Sequence, residues 1–300
     1  HVRFEFEADL VYVALFSTVS SSPFEFTIMD WTLTLGLASL GICTGFLAGL
    51  LGIGGGMVLT PFLTMLLSAT GKIPPEQVVH VAIATSMSTI LFTSVSSIRA
   101  HASRGGVLWK VAFSIAPGIL LGGLLGAQIT SHLPTFWVAV IFAGFVCFSA
   151  TKMLIGGRPA PSRQLPGTPG LIGAGGVIGL ISSIVGAGGG FISVPFMTYC
   201  NVKIHNAIGT SAALGFPIAL AGTVGYIISG WHNPALPQWP EMLGFVYLPA
   251  LFSVAITSML MAPVGASVAH RMDTKGLKKA FSLLMFALSA YMAYKAYLAF

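Results

Sequence analysis

Acidic residues are scarce in this chain, which has 8 Asp and Glu against 14 Lys and Arg among 300 residues, so that only 7% of the sequence is charged. Ordinary soluble domains carry roughly 25% charged residues. With 55% hydrophobic residues and a mean hydropathy of +0.89, the chain lacks the polar material to cover a water-facing surface. It reads as an integral membrane protein. Cysteine is sparse as well. Cys43, Cys147 and Cys200 form an odd set inside apolar segments, at spacings that fit no metal motif. That excludes a disulfide framework and a metal centre and leaves them as buried packing residues. No serine stands in a G-x-S-G-like turn with a partner histidine, and no pair of aspartates lies inside an apolar segment. No Walker Lys-Ser/Thr pair follows either glycine-rich turn. Intramembrane proteolysis and nucleotide chemistry are therefore set aside, the chain is not read as an enzyme, and no cofactor is implied. Glu76, Glu241 and Asp273 fall at segment ends or in connections. A carboxylate relay for protons or cations, and a cationic substrate, are disfavoured for the same reason.

What is present is apolar sequence in long runs. Charged or turn-rich breaks delimit ten segments, at about 31–50, 57–70, 78–98, 107–130, 134–155, 169–185, 190–201, 206–230, 242–268 and 276–298. Most approach or exceed the roughly 20 residues a spanning helix needs. They are rich in Leu, Ala and Met and have no two-residue period, so an all-α, polytopic helical bundle is predicted rather than a β-barrel. The two short segments both follow glycine triplets.

The net charge of +6 is spread between the segments and not clustered with aromatics. Nucleic acid is not a predicted partner; the lipid bilayer is. Arg99, Arg104 and Lys110, then Lys152, Arg158 and Arg163, then Arg271, Lys275, Lys278 and Lys279 occupy three connections that share one side if every segment crosses. The opposite connections hold little basic charge: Lys72 is balanced by Glu76, and the others carry His132, or His232 with Glu241. The positive-inside rule then puts the basic connections in the cytoplasm and both termini outside, in a cell inner (plasma) membrane. Pairing each short segment with its neighbour as a re-entrant hairpin leaves this parity unchanged.

The second half repeats the first. "GFLAGLLGIGGGMVLTPF" (45–62) matches "GLISSIVGAGGGFISVPF" (179–196), and "HVAIATS" (80–86) matches "HNAIGTS" (205–211). The domain reading is a first membrane repeat over 29–155, a cytoplasmic Pro- and Gly-rich linker over 156–168 and a second repeat over 169–300. Residues 1–28 read as an N-terminal extension, as readily a start-site or vector artefact as a natural segment, with Met29 a natural start. Five segments per repeat is an odd number, so the repeats enter the membrane from opposite sides. Inverted repeats with glycine-broken short helices in matching positions are the signature of secondary transporters, with the site near the midplane.

A half-length helix starts inside the membrane. Its first turn offers unpaired N–H groups and the positive end of the helix dipole, which together attract an anion. Glycine allows the anion close to the backbone and lets the chain turn through positive φ. The predicted substrate-binding residues are Gly54, Gly55, Gly56 and Met57 facing Gly188, Gly189, Gly190 and Phe191. Thr85, Ser86, Thr210 and Ser211 are added as hydroxyl donors, with self-bonding to their own helices as the competing reading. His80 and His205, at the head of the repeated motif, are candidates for proton coupling, against a reading as solvated helix ends.

The doubled "GIGGGMVLTP" and "GAGGGFISVP", each followed by "AIATS" or "AIGTS", resemble the sulfite exporter TauE/SafE family, also described as toluene sulfonate uptake permeases. The resemblance covers about residues 30–300. It implies a membrane transporter of sulfur-containing anions such as sulfite or the organosulfonate sulfoacetate, and it implies roles for the two glycine turns, Met57, Phe191, Pro61, Pro195 and the Thr-Ser pairs. It fixes neither the direction of transport nor one substrate. The rival readings are a passive anion channel, built from the same helix ends, and a purely structural membrane protein.

Overall fold

In lipid every backbone N–H and C=O must find a partner within the protein, which drives continuous apolar runs into helices. The structure, a computed structural model, describes residues 23–51, 55–155, 164–231, 233–236, 240–269 and 275–299. Among these residues there are ten helices: α1 (Pro23–Leu51), α2 (Gly56–Thr70), α3 (Val78–Ala102), α4 (Trp109–His132), α5 (Thr135–Ile155), α6 (Thr168–Val185), α7 (Gly190–Tyr199), α8 (Ile204–Gly230), α9 (Leu248–Ala269) and α10 (Lys275–Leu298). Eight are long and apolar enough to cross a membrane; α2 and α7 are shorter. At 1.5 Å per residue α2 rises about 22 Å and α7 about 15 Å, against roughly 30 Å of hydrocarbon. Residues 23–28 are helical and continuous with α1.

The centre of the bundle is the pair α3 and α8, where 83% and 67% of the spanning window is buried against 39–44% in the other spans. They run antiparallel: Met87 meets Gly222, and Ser94 meets Gly215. Around them the pairings come in twos. Helix α4 packs on α8 and α6, while α9 packs on α3 and α1. Short α2 lies against α3, short α7 against α8, and α5 pairs with α10. Each pairing therefore has a counterpart in which the parts played by residues 29–155 and 169–300 are exchanged.

Small residues make the closest of these contacts. Gly118, Gly122 and Gly126 on α4 lie so near Ile172, Gly176 and Leu180 of α6 that a Cβ would overlap their carbonyl oxygens. Gly45 and Gly49 on α1 meet the carbonyls of Ser258 and Ala262 on α9 in the same way. Close approach through glycine is how helices associate in lipid, where apolar burial drives nothing.

The helix ends sort into two groups. At one end the guanidinium of Arg104 donates to Ser267 Oγ (2.9 Å), at the close of α9, and Asn206 Nδ2 to the Gly105 carbonyl (3.5 Å). At the other, Thr135 Oγ1 donates to the Glu76 carbonyl, and His80 stacks at a tilt on Phe245 with ring centres 5.7 Å apart.

Two expectations are corrected. Residues 242–247, assigned to the ninth apolar segment, form a small antiparallel hairpin, β1 (Met242–Leu243) and β2 (Val246–Tyr247). Gly244, at φ +60° against the Ile227 backbone, makes the turn, and Phe245 is fully buried between His80 and Tyr226. Aromatic burial and a tight turn outweigh continuation of the helix. Of the cysteines only Cys200 is buried; Cys43 and Cys147 lie on exposed faces of α1 and α5. An apolar segment has a lipid side, so apolar company in sequence does not mean burial.

Candidate functional site

The two short helices start alike. Gly55, at φ +69°, and Gly189, at φ +75°, stand as N-caps of α2 and α7 in the left-handed region that a side chain strains. The Gly55 carbonyl accepts from the N–H of Val58 and of Leu59, and the Gly189 carbonyl from Ile192 and Ser193. The N–H groups of Gly56 and Met57, and of Gly190 and Phe191, precede these bonds and belong to the first turns whose donors have no intrahelical acceptor. Gly54 lies outside the described residues. Gly55, Gly56, Met57, Gly188, Gly189 and Gly190 are buried, and Phe191 is half-buried.

The turns abut. A Cβ on Gly56 would overlap the carbonyl oxygen of Gly186, which ends α6 in the left-handed region at φ +66°. Ser86 Oγ reaches both chains, 3.3 Å from the Gly186 carbonyl and 3.5 Å from that of Gly56. Ser211, its counterpart on α8, accepts from Ser193 Oγ of α7 at 2.8 Å. Each repeated serine is thus set against a short helix or its turn.

The repeated threonines are engaged elsewhere. Thr85 Oγ1 accepts the Tyr247 N–H (3.0 Å) at the entrance to α9, and Thr210 Oγ1 accepts the Leu108 N–H (2.9 Å) at the entrance to α4. Each satisfies a donor at a helix start, where four would otherwise be left over. The exchange is reciprocal between the halves, and it ties the starts of α4 and α9 to the central pair.

The histidines differ from each other. His80 is 3% exposed, with Nε2 3.1 Å from the carbonyls of Thr130 and of Leu133; facing two acceptors, that nitrogen carries the proton. Nδ1 lies 3.4 Å from Thr135 Oγ1. His205 is exposed at the start of α8. On an antiparallel pair the two sit at opposite ends and do not meet.

The structure adds residues that were not among the predicted binding residues. Thr60 Oγ1 lies beside Gly186 and Ser182 Oγ beside Gly189; both are buried, and neither has a hydrogen-bond partner among the described residues. A cavity of about 10 Å³, room for a single water-sized probe, lies between α3 and α8 at the second glycine turn. Gly188, Ser211, Thr93, Ser94, Ser97 and Ala212 are among its lining residues, and none of the residues lining it is charged. A signal for Thr93, Ser94 and Ser97 was open to reading, since they are hydroxyl residues where the matched positions of the second half are Ile218, Ala219 and Gly222. No group of His, Cys, Asp and Glu that could hold a metal occurs among the described residues.

Comparison with known proteins gives a consistent set of matches. The family described as "Sulfite exporter TauE/SafE" matches residues 37–292. A "Probable membrane transporter protein" of Haemophilus influenzae is 35% identical over 258 residues, covering 85% of this chain and 96% of that one. "Probable membrane transporter protein YdhB" of Bacillus subtilis is 28% identical over 80% of this chain and 91% of its own. A further "Probable membrane transporter protein", from Methanocaldococcus jannaschii, is 23% identical over 85% and 94% of the two chains. No solved structure matches.

Proposed function

The chain belongs to the sulfite exporter TauE/SafE family and is a multi-pass membrane transporter, and from that premise we propose that it is a secondary carrier of a small sulfur-containing anion, sulfite or an organosulfonate such as sulfoacetate. The observation that supports this most is the pair of short helices that begin inside the bundle, each at a left-handed glycine beside a buried repeated serine. Two first turns supply N–H donors and positive dipole ends to the same region, with no lining charge to bind a cation. Gly54 to Met57 and Gly188 to Phe191, with Ser86 and Ser211, are the proposed elements that frame the substrate site. Thr85 and Thr210 fix the helices around them.

The reciprocal packing of the halves supports two inverted repeats that rock about this centre, the architecture of alternating access. A void of about 10 Å³ is too small for an oxyanion and does not make an open pore. Paired broken helices in matching positions of the two halves favour the carrier over the passive anion channel. The end bearing Arg104 and Asn206 is the proposed cytoplasmic face of an inner membrane, and the His80 end is the outer face.

The test uses purified protein in proteoliposomes. Flux of labelled sulfite or sulfoacetate should saturate and show counterflow, and the same anions should raise the melting temperature in detergent, because a ligand that binds only the folded state stabilises it. Flux that rises linearly with concentration and shows no counterflow would move the protein to the channel class.

A further inference from the structure

The void between α3 and α8 is lined unevenly. On α3 it meets Thr93, Ser94 and Ser97 beside Ile90, on α8 Ser211, Ala212 and Gly215, on α1 Ala48, and at the second glycine turn Gly188. Aligning "HVAIATS" with "HNAIGTS" puts Ile218, Ala219 and Gly222 where α3 has its three hydroxyls, and Met87 where α8 has Ala212. Met87 packs on Gly222. One side of the centre is therefore hollow and carries four hydroxyl groups among apolar walls, and the equivalent place on the other side is filled by a thioether. The hollow side lies toward the end of α3 that carries Arg99.

Ser97 is the informative residue. Its neighbours on α3 are paired: Ser88 donates to the Ala84 carbonyl, Thr89 to that of Thr85, Ser94 to that of Leu91 and Ser96 to that of Met259 on α9. Ser97 is not. It is 4% exposed, it lines the cavity, and its Oγ has no partner among the described residues. A buried polar group left unpaired is costly, and such a group in a folded protein calls for a partner.

We propose that the anion site is one-sided: of the two glycine turns only the second, the first turn of α7, binds the oxyanion directly, with Ser97 of α3 and Ser211 of α8, displaced toward the Arg99 end, while Met87 closes the other side. The substrate class rests on the carrier reading above. Every donor in this site is neutral, so it offers dipoles without a counter-charge. The cost of taking an ion out of water rises with the square of its charge, so such a site suits a monoanion, a sulfonate above all, and rejects the sulfate dianion. Admitting the anion requires α7 and α8 to part from α3, because the hollow now takes no more than a water-sized probe.

Titration calorimetry on the detergent-purified protein, with methanesulfonate and sulfate as probes, tests the site. Methanesulfonate should bind at least tenfold more tightly than sulfate. Ser97→Ala should weaken methanesulfonate about tenfold, the loss of one hydrogen bond to a charged group, Ser97→Thr should retain it, and Ala212→Met should abolish it. Unchanged affinity in Ser97→Ala, or equal affinity for sulfate, overturns the inference. A second arm needs no bound substrate. In a chain whose three cysteines are replaced by serine, Ser97→Cys should react with 2-sulfonatoethyl methanethiosulfonate applied at the Arg104 face, and Ala219→Cys should resist it from the opposite face. An unreactive Ser97→Cys, or a reactive Ala219→Cys, overturns the one-sided site. Wild-type protein that binds neither probe yet labels as expected would instead remove the sulfur-anion reading and leave the site.

Discussion

His80 and His205 hold equivalent places in the repeated motif and unequal surroundings, which bears on what each can do. The Nε2 of His80 is committed to the carbonyls of Thr130 and Leu133 near the end of α4, so any proton it exchanges must come and go at Nδ1. His80 also lines a hollow of about 390 Å³, whose charged lining residues are Glu76, before α3, and Lys295, on α10. His205 is open to water. If coupling to protons runs through these rings, replacing both with glutamine should flatten the pH dependence of sulfonate flux and preserve counterflow, which needs no net proton movement. An unchanged profile would make both of them helix-end residues and point to uniport or another coupling ion. His80→Ala should in addition lower stability by about 1–3 kcal/mol, read as a lower melting temperature, because two buried carbonyls lose their donor. None of this difference is visible in "HVAIATS" and "HNAIGTS", which give both histidines one register. Burial depends on what packs there, for His80 the end of α4 and start of α5 together with Phe245, and a motif carries no information about its neighbours elsewhere in the bundle. The threonines illustrate the same limit, since their partners Tyr247 and Leu108 are more than a hundred residues away.

Helices α4 and α6, and α1 and α9, are held by rows of small residues, and the glycines on them are not interchangeable. A Cβ on Gly122 would overlap the Gly176 carbonyl, whereas one on Gly144, on the exposed face of α5, would meet nothing within 4 Å. Gly122→Ala should therefore push α4 from α6 and lower the melting temperature, while Gly144→Ala should be neutral or raise stability by up to about 1 kcal/mol, the helix preference of alanine over glycine. Equal melting temperatures for the two variants would mean that the rows are not in close contact. The existence of nearly all the helices was legible, because long apolar runs in lipid have few alternatives. The short pair was legible from the glycine triplets that precede it. The hairpin at 242–247 was not, because its apolar residues extend the hydropathy of α9, and only the packing of Phe245 beneath His80 distinguishes them.

At the scale of the whole molecule, the proposed orientation and the proposed motion can each be read directly. Ser103 and Lys203 are exposed at the Arg104 end, and Lys72 is exposed at the other, so single cysteines at the first two should label from the cytoplasm and one at Lys72 from outside. Labelling of all three from one face would remove the two-sided arrangement on which the inverted repeat rests. The motion concerns α3 and α8, the antiparallel pair from opposite halves, which must separate if the halves rock about the site. Ser94 Cβ lies 3.7 Å from where a Cβ on Gly215 would sit, within the roughly 3.5–4.5 Å of a disulfide. The double variant Ser94→Cys, Gly215→Cys should form that bond on oxidation and lose counterflow in proteoliposomes, and reduction should restore whatever flux the variant has. Because the same protein is compared with itself, the cost of losing the Ser94 hydroxyl cancels. Flux that is equal in the oxidised and reduced protein, with the bond verified by mass, would show that α3 and α8 stay together through the cycle and that access alternates by movement of α2 and α7 alone.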